Sequence, residues 1–244
     1  MRQHLHVNLR YADKHAESRA TSERREWAES WAVDQNGLTV NKTASLSCGV
    51  HPADLVSAAD KAVGENGILM ADSSSILLWA THHLPDRPRR RFLSVWGWAS
   101  MGHVTAGAVG AKLASPHSDV VVLTGDGCFL MHGNEVATAV SMGLNIVWVI
   151  NANTQLGMIH YELRQSGNTE SATLGEYDFA KFAQGVGAYG VHCADSVSLE
   201  REIIRGLKRS LPTVIQVKAD PGPTPPMGNK KLGNSRWQEY FSGI

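Results

Sequence analysis

From about residue 50 onward, apolar positions alternate between short uninterrupted runs and stretches of helical period. The runs at 68–71, 120–123 and 146–150 have strand length and no polar face, the pattern of strands buried in a parallel sheet. Shorter runs at 92–95, 191–193 and 214–217 read as further strands, the last closing the sheet. Between them lie helical patterns at 52–64, with Leu55, Ala58, Ala59 and Ala62 on one face, and at 134–142, 177–186 and 197–211. In the stretch 96–114 the small apolar residues Ala106, Val109, Gly110 and Leu113 recur at helical spacing and predict its packing face. Strands alternating with helices in this way predict an α/β domain with a parallel sheet.

The two ends of the chain break this pattern. Residues 1–46 are polar and charged, with a helical piece at 22–33 whose strong apolar pair is Trp27 and Trp31. They read either as a solvated extension or as an arm that docks its tryptophans on another chain. At the other end, 220–228 carry four prolines among glycines, which excludes regular structure. The expected division is therefore 1–46, a compact domain over 47–220, and a tail over 221–244. The arginine-rich stretch 87–91 reads as a solvated loop or an anion patch, and 165–173 as a loop.

Composition narrows the class. With 43% hydrophobic and 19% charged residues, the chain can bury a sizeable core. Its 23 basic and 23 acidic side chains cancel, giving no case for a nucleic-acid or membrane partner. Cys48, Cys128 and Cys193 form no CxxC pair, which argues against a disulfide framework or an iron–sulfur site. No apolar run approaches 18 residues and no signal peptide shows, so a soluble, cytoplasmic protein is expected.

The candidate chemistry sits at the ends of two strands. The 120–123 run stops at Gly125-Asp126-Gly127; the 146–150 run stops at Asn151-Ala152-Asn153, placing Asn153 27 positions after Asp126. A hard cation such as Mg²⁺ takes oxygen ligands and shares them with phosphates. Asp126 offers an anionic oxygen, Asn153 an amide oxygen and Gln155 a backbone carbonyl, while the glycines let the backbone approach a phosphate. The pattern predicts a magnesium–diphosphate cradle at the carboxyl edge of the sheet.

The stretches GDGCFLMHGNEVATAV and NANTQLGM resemble the thiamine diphosphate motif of the acetohydroxyacid synthase and 2-oxo acid decarboxylase family. The resemblance covers about residues 50–220 and implies a doubly wound parallel sheet with helices on both faces. It also implies that Asp126, Asn153 and the Gln155 carbonyl bind Mg²⁺. Gly125, Gly127, Cys128, Gly157 and Met158 would join Asp126 and Asn153 in holding thiamine diphosphate. Met101 would be the wedge that bends the cofactor and Ala99 the carbonyl that meets its aminopyrimidine. A lone Met is more often core filler, and it is the place of Met101 between two cofactor segments that favours the functional role. His103 stands where the family has Phe and reads as a core histidine, while His160 and Tyr161 are substrate-side candidates.

Two departures stand out. Ala152 replaces the first Asn of the usual pair, and the Gln-His turn of the family is absent, with Ile76 at the His position. Ser74 and Ser75 either donate to the phosphates there or form a plain turn. The family's glutamate, which protonates the pyrimidine ring, lies on a separate pyrimidine-binding domain, for which 1–46 are too short. The resemblance thus implies a separately encoded partner subunit carrying that glutamate, in a heterotetramer with two copies of each chain (α₂β₂). A decarboxylase or carboligase of a small 2-oxo acid is the leading expectation. A non-catalytic scaffold and an oxidoreductase subunit of the 2-oxo acid:ferredoxin type are the alternatives, and the tail would be a lid over the site or an irregular end.

Overall fold

Every residue of the strands β1 (Ile68–Ala71) and β3 (Val120–Gly125) is buried, as are five of the six in β4 (Val147–Ala152). Strands without a polar face must be covered on both sides. In the computed structural model, which describes residues 49–85, 91–95, 97–164 and 167–225, they are. With β2 (Arg91–Ser94), β5 (Tyr189–Cys193) and β6 (Thr213–Lys218) they form a parallel sheet of order β2-β1-β3-β4-β6-β5. The N-terminal extension with its tryptophan pair lies outside the described residues. So do residues 86–90 of the basic loop, Trp96, residues 165–166 and the tail beyond 225.

Two cores sandwich the sheet. One face packs Leu69, Leu123, Val149 and Ile215 against α1 (Pro52–Ala62), α2 (Ser75–His83) and α8 (Ser196–Leu207). The other packs Met70, Val122, Trp148 and Ile150 against α3 (His103–Ala114), α5 (Glu135–Ser141) and α7 (Phe179–Gly185). This is the doubly wound α/β fold. The chain leaves β1 for β2 on one side, then returns to place β3 on the other. The carboxyl ends of β1 and β3 therefore flank a topological switch point, where such sheets open a crevice.

Several expectations need correction. The Gly-Asp-Gly stretch is not a loop leading to a helix at 134: α4 (Asp126–His132) starts on Asp126 itself, and α5 follows from Glu135. Strand β4 runs on through Asn151 and Ala152, held in register with Gly125 of β3 and with Val217 and Lys218 of β6. Strand β6 does not close the sheet but inserts between β4 and β5, leaving β5 at the edge. On α3 the buried residues are Val104, Thr105 and Ala108, whereas Gly110 and Leu113 face outward. His103 is exposed, so it is not a core histidine.

Candidate functional site

The site is built from the ends of β1, β3 and β4. Asp126 is only 4% exposed, and its carboxylate gathers three backbone donors. Oδ1 accepts from Gly127 N–H at 2.9 Å; Oδ2 accepts from Asn153 N–H at 3.1 Å and Thr154 N–H at 2.7 Å. One carboxylate thus clips the end of β3 to the loop after β4. The clip requires a sharp reversal, and Thr154 provides it in the left-handed region, at φ +59°. Burial pushes the Asp126 carboxyl above its ordinary value, while the backbone N–H groups of Gly127, Thr154, Asn153 and Gln155 partly offset this.

The donor chemistry fits a hard divalent cation. The Asp126 carboxylate, held by backbone N–H groups, is the anionic oxygen donor of the cluster, and a carboxylate oxygen can accept from the backbone and still face a cation. Gln155 pairs with Thr173 in an isolated antiparallel bridge whose bonds run from Leu156 N–H to Ala172 and from Leu174 N–H to Thr154. Both bonds bypass Gln155, so its own carbonyl is directed away from the bridge. Its side chain is occupied elsewhere, donating to the Pro221 carbonyl at 3.0 Å. Asp126, Asn153 and Gln155, three residues selected by type and spacing, are therefore neighbours.

The diphosphate side is formed by β1 and α2. The amino end of α2 starts at Ser75, directly after β1, and its cap residue Ser74 makes no side-chain cap bond. Its first N–H groups have no intrahelical partner, the property that suits a helix start to an anion. The glycines also make room for protein. A Cβ on Gly125 would lie 3.1 Å from the Ser74 Cβ, and one on Gly157 only 2.9 Å from the Ser75 Oγ. Cys128 is buried, and its thiol donates to the Ser73 carbonyl at 3.3 Å. Burial foremost, with Asp72 nearby, pushes that thiol up to about 12, so its side chain serves packing.

Met101 lies beside this cradle, half-buried: its Cε would be 3.0 Å from a Cβ on Gly127. It sits in a turn that includes two left-handed residues, Ala99 at φ +49° and Gly102 at φ +80°. That turn rests on α4, since a Cβ on Gly102 would strike the His132 ring. Beside it lies a shallow open cleft, lined by Ser75, Asn153, Gly157, His160, Tyr161 and Arg164 and walled by Pro221, Pro223 and Pro225. His160 and Tyr161 belong to α6 (Gly157–Leu163), and Met158 on the same helix is 39% exposed. The described start of the tail thus borders the cradle.

Sequence reading missed two contributors. Arg164 adds a cation to the cleft with no motif to announce it. Asp72, completely buried at the end of β1, accepts four hydrogen bonds, including those from Gly102 and Thr105 of the Met101 turn and α3. The available signal was an acidic residue directly after an apolar strand run, a position that predicts a strand-end site in a parallel sheet.

Comparison with known proteins identifies the family. The profile of the family described as thiamine pyrophosphate enzyme, C-terminal TPP binding domain, matches residues 72–217. A Mycobacterium tuberculosis protein provisionally named acetolactate synthase large subunit IlvB2 is 30% identical over 175 residues, which are 70% of this chain and 31% of that protein. A Methanocaldococcus jannaschii protein, also provisionally named an acetolactate synthase large subunit, is 34% identical over 174 residues, 67% of this chain and 28% of its own. The solved thiamine diphosphate-dependent 4-hydroxybenzoylformate decarboxylase of Rhodococcus jostii RHA1 shares the fold. It has a TM-score of 0.64 at 24% identity, covering 74% of this chain and 34% of that one. The matched region spans about a third of the length of these relatives. From Asp72 at the end of β1 to Val217 in β6, a span that contains the whole Asp126–Asn153–Gln155 cradle, the chain belongs to the thiamine pyrophosphate enzyme family as its C-terminal TPP binding domain.

Proposed function

We propose that this chain is the cofactor-anchoring half of a thiamine diphosphate-dependent enzyme that decarboxylates or joins small 2-oxo acids, in the manner of an acetolactate synthase. The observation that carries the reading is convergence at one switch point. The buried Asp126 with Asn153 and Gln155, the amino end of α2, and the Met101 turn all meet there. Asp126, Asn153 and the Gln155 carbonyl would hold Mg²⁺, and Ser75 with the first α2 N–H groups would hold the diphosphate. Bound thiamine diphosphate supplies an electron sink for breaking the carbon–carbon bond beside the substrate carbonyl. The chain's own part is to bind and orient. Met101 would set the bend of the cofactor and the Ala99 carbonyl would accept from its amino group. His160, Tyr161 and Arg164 would line the space left for substrate, which the described start of the proline tail borders.

On this reading a pyrimidine-binding subunit supplies the glutamate, in a heterotetramer with two copies of each chain, and the enzyme works in the cytoplasm. Apolar surface next to the Met101 turn supports a covering partner: Trp98 is 96% exposed, and Leu130 and Met131 on α4 are 45% and 56% exposed. The test is reconstitution with a candidate pyrimidine-binding chain, scoring CO₂ release from a panel of 2-oxo acids. Release that needs both chains, Mg²⁺ and thiamine diphosphate is expected. A stable complex that binds cofactor yet turns over none of the panel would contradict the proposed reaction.

A further inference from the structure

We infer that Asp72 is the positioning residue that holds Met101 in its place over the cradle. Its carboxylate is wholly buried at the end of β1 and reaches across to the chain 30 residues later. Oδ1 accepts from Ser73 N–H at 2.8 Å and Gly102 N–H at 3.1 Å; Oδ2 accepts from Thr105 N–H at 2.8 Å and the Thr105 hydroxyl at 2.6 Å. The Gly102 and Thr105 N–H groups belong to the amino end of α3, which has no cap from its own cap residue, Gly102. Asp72 therefore does for α3, from another strand, what a local cap does for most helices. The Gly102 bond ties the 99–102 turn to the end of β1.

That turn needs holding. Ala99 sits at φ +49°, a conformation that a residue with a Cβ keeps only where its surroundings enforce it. The network behind the carboxylate is closed. The Thr105 hydroxyl lies 2.9 Å from the Thr124 hydroxyl in β3, and the Thr105 carbonyl accepts from the Trp148 indole at 3.0 Å. The end of β1, the Met101 turn, β3 and β4 are thus keyed to one carboxylate. Three of the four bonds go to the Met101 turn and α3 and one, from Ser73 N–H, to the turn before α2, so Asp72 acts chiefly on the Met101 side of the site.

An amide cannot replace it. Each oxygen of Asp72 faces at least one backbone N–H, so in Asp72→Asn the side-chain NH₂ opposes a fixed donor whichever way it is turned. This inference rests on the proposed cofactor role of Met101, and the experiment separates the two. The full chain, wild type and Asp72→Asn, is titrated with inorganic diphosphate and with thiamine diphosphate, both in Mg²⁺, and amide hydrogen exchange is followed by residue. The expected result is diphosphate affinity within about twofold of wild type, thiamine diphosphate affinity lowered about tenfold, and faster exchange confined to Ser73 and residues 98–105. Equal loss of both ligands, no loss of either, or faster exchange spread over the whole sheet would overturn it. If Asp72→Asn does not fold, Thr105→Val, which removes one of the four bonds, should show the same split at about twofold to fivefold, and an even loss would again overturn it. Failure of the wild type to bind either ligand would instead refute the cofactor reading, while the exchange pattern would still decide what Asp72 holds.

Discussion

Gly127→Ala separates the packing of the cradle from the stability of the fold. Gly127 is the second residue of α4, and its φ lies outside the left-handed region, so an alanine meets no backbone strain. Its Cβ would lie 2.5 Å from the Leu156 Cδ2, 3.0 Å from the Met101 Cε and 3.6 Å from the Leu174 Cδ1. Carbon atoms settle at about 3.5–4.0 Å, so the Leu156 methyl must retreat by roughly 1 Å and the Met101 methyl by about half that or more. Both atoms are the far ends of flexible, half-buried side chains. Overpacking costs about 1–3 kcal/mol, and replacing a helical glycine by alanine returns about 1 kcal/mol. The net loss should be about 0–2 kcal/mol, a fall in Tm of no more than roughly 8 °C for a chain of this size. The displaced Met101 should matter more, because a shift near 1 Å in a positioning group can cost about 100-fold in rate. Thermal unfolding and paired titrations with thiamine diphosphate and inorganic diphosphate are the assays. A small change in Tm with selective loss of thiamine diphosphate binding is predicted. A loss above about 4 kcal/mol, or unchanged binding of both ligands, would refute the reasoning.

Further outcomes follow from the same geometry. Asp126 must be ionised to bind a cation, and burial raises its pKa, so Mg²⁺ affinity should fall by up to tenfold per pH unit as pH drops through that raised value. In the metal-free chain the sign reverses. The folded state holds the Asp126 proton more tightly than the unfolded one, so stability is lost as pH rises from the ordinary carboxylate value through the raised one. Titrations and melts across mildly acidic pH would show both, and a pH-independent Mg²⁺ affinity would contradict them. Gly190→Ala should be severe, because its Cβ would overlap the Ala180 carbonyl oxygen of α7, backbone that cannot step aside. A loss of roughly 3 kcal/mol, some 6–12 °C in Tm, is expected. Gly110→Ala, with open space around it on α3, should be neutral or raise Tm slightly.

The cradle was legible because its parts obey local rules: uninterrupted apolar strands, glycines around a carboxylate, oxygen ligands at a strand end. Strand β1 occupies the very residues its apolar run predicts. What the sequence hid has physical causes. Helix α4 was invisible because glycine and a strand-end Asp imitate a loop, whereas Asp126 is both the first residue of the helix and the clip to the β4 end. The buried face of α3 was misassigned because periodicity scores Thr105 as polar. Its hydroxyl is hidden in the core by its bonds to Asp72 and Thr124, so the true face reads as the wrong one. The insertion of β6 between β4 and β5 is a long-range pairing that no local pattern encodes. The same holds for Asp72, whose partners lie 30 and 33 residues away.

The central claim is that Asp126 anchors Mg²⁺ and, through it, the cofactor diphosphate. Calorimetric titration of thiamine diphosphate with and without Mg²⁺, into the wild-type chain and Asp126→Ala, tests it most directly, alone and with a candidate partner subunit present. Binding should require Mg²⁺ in the wild type, tighten with the partner and be lost in Asp126→Ala, which removes the anionic ligand of the cradle. Affinity that is unchanged in Asp126→Ala, or that ignores Mg²⁺, would contradict it.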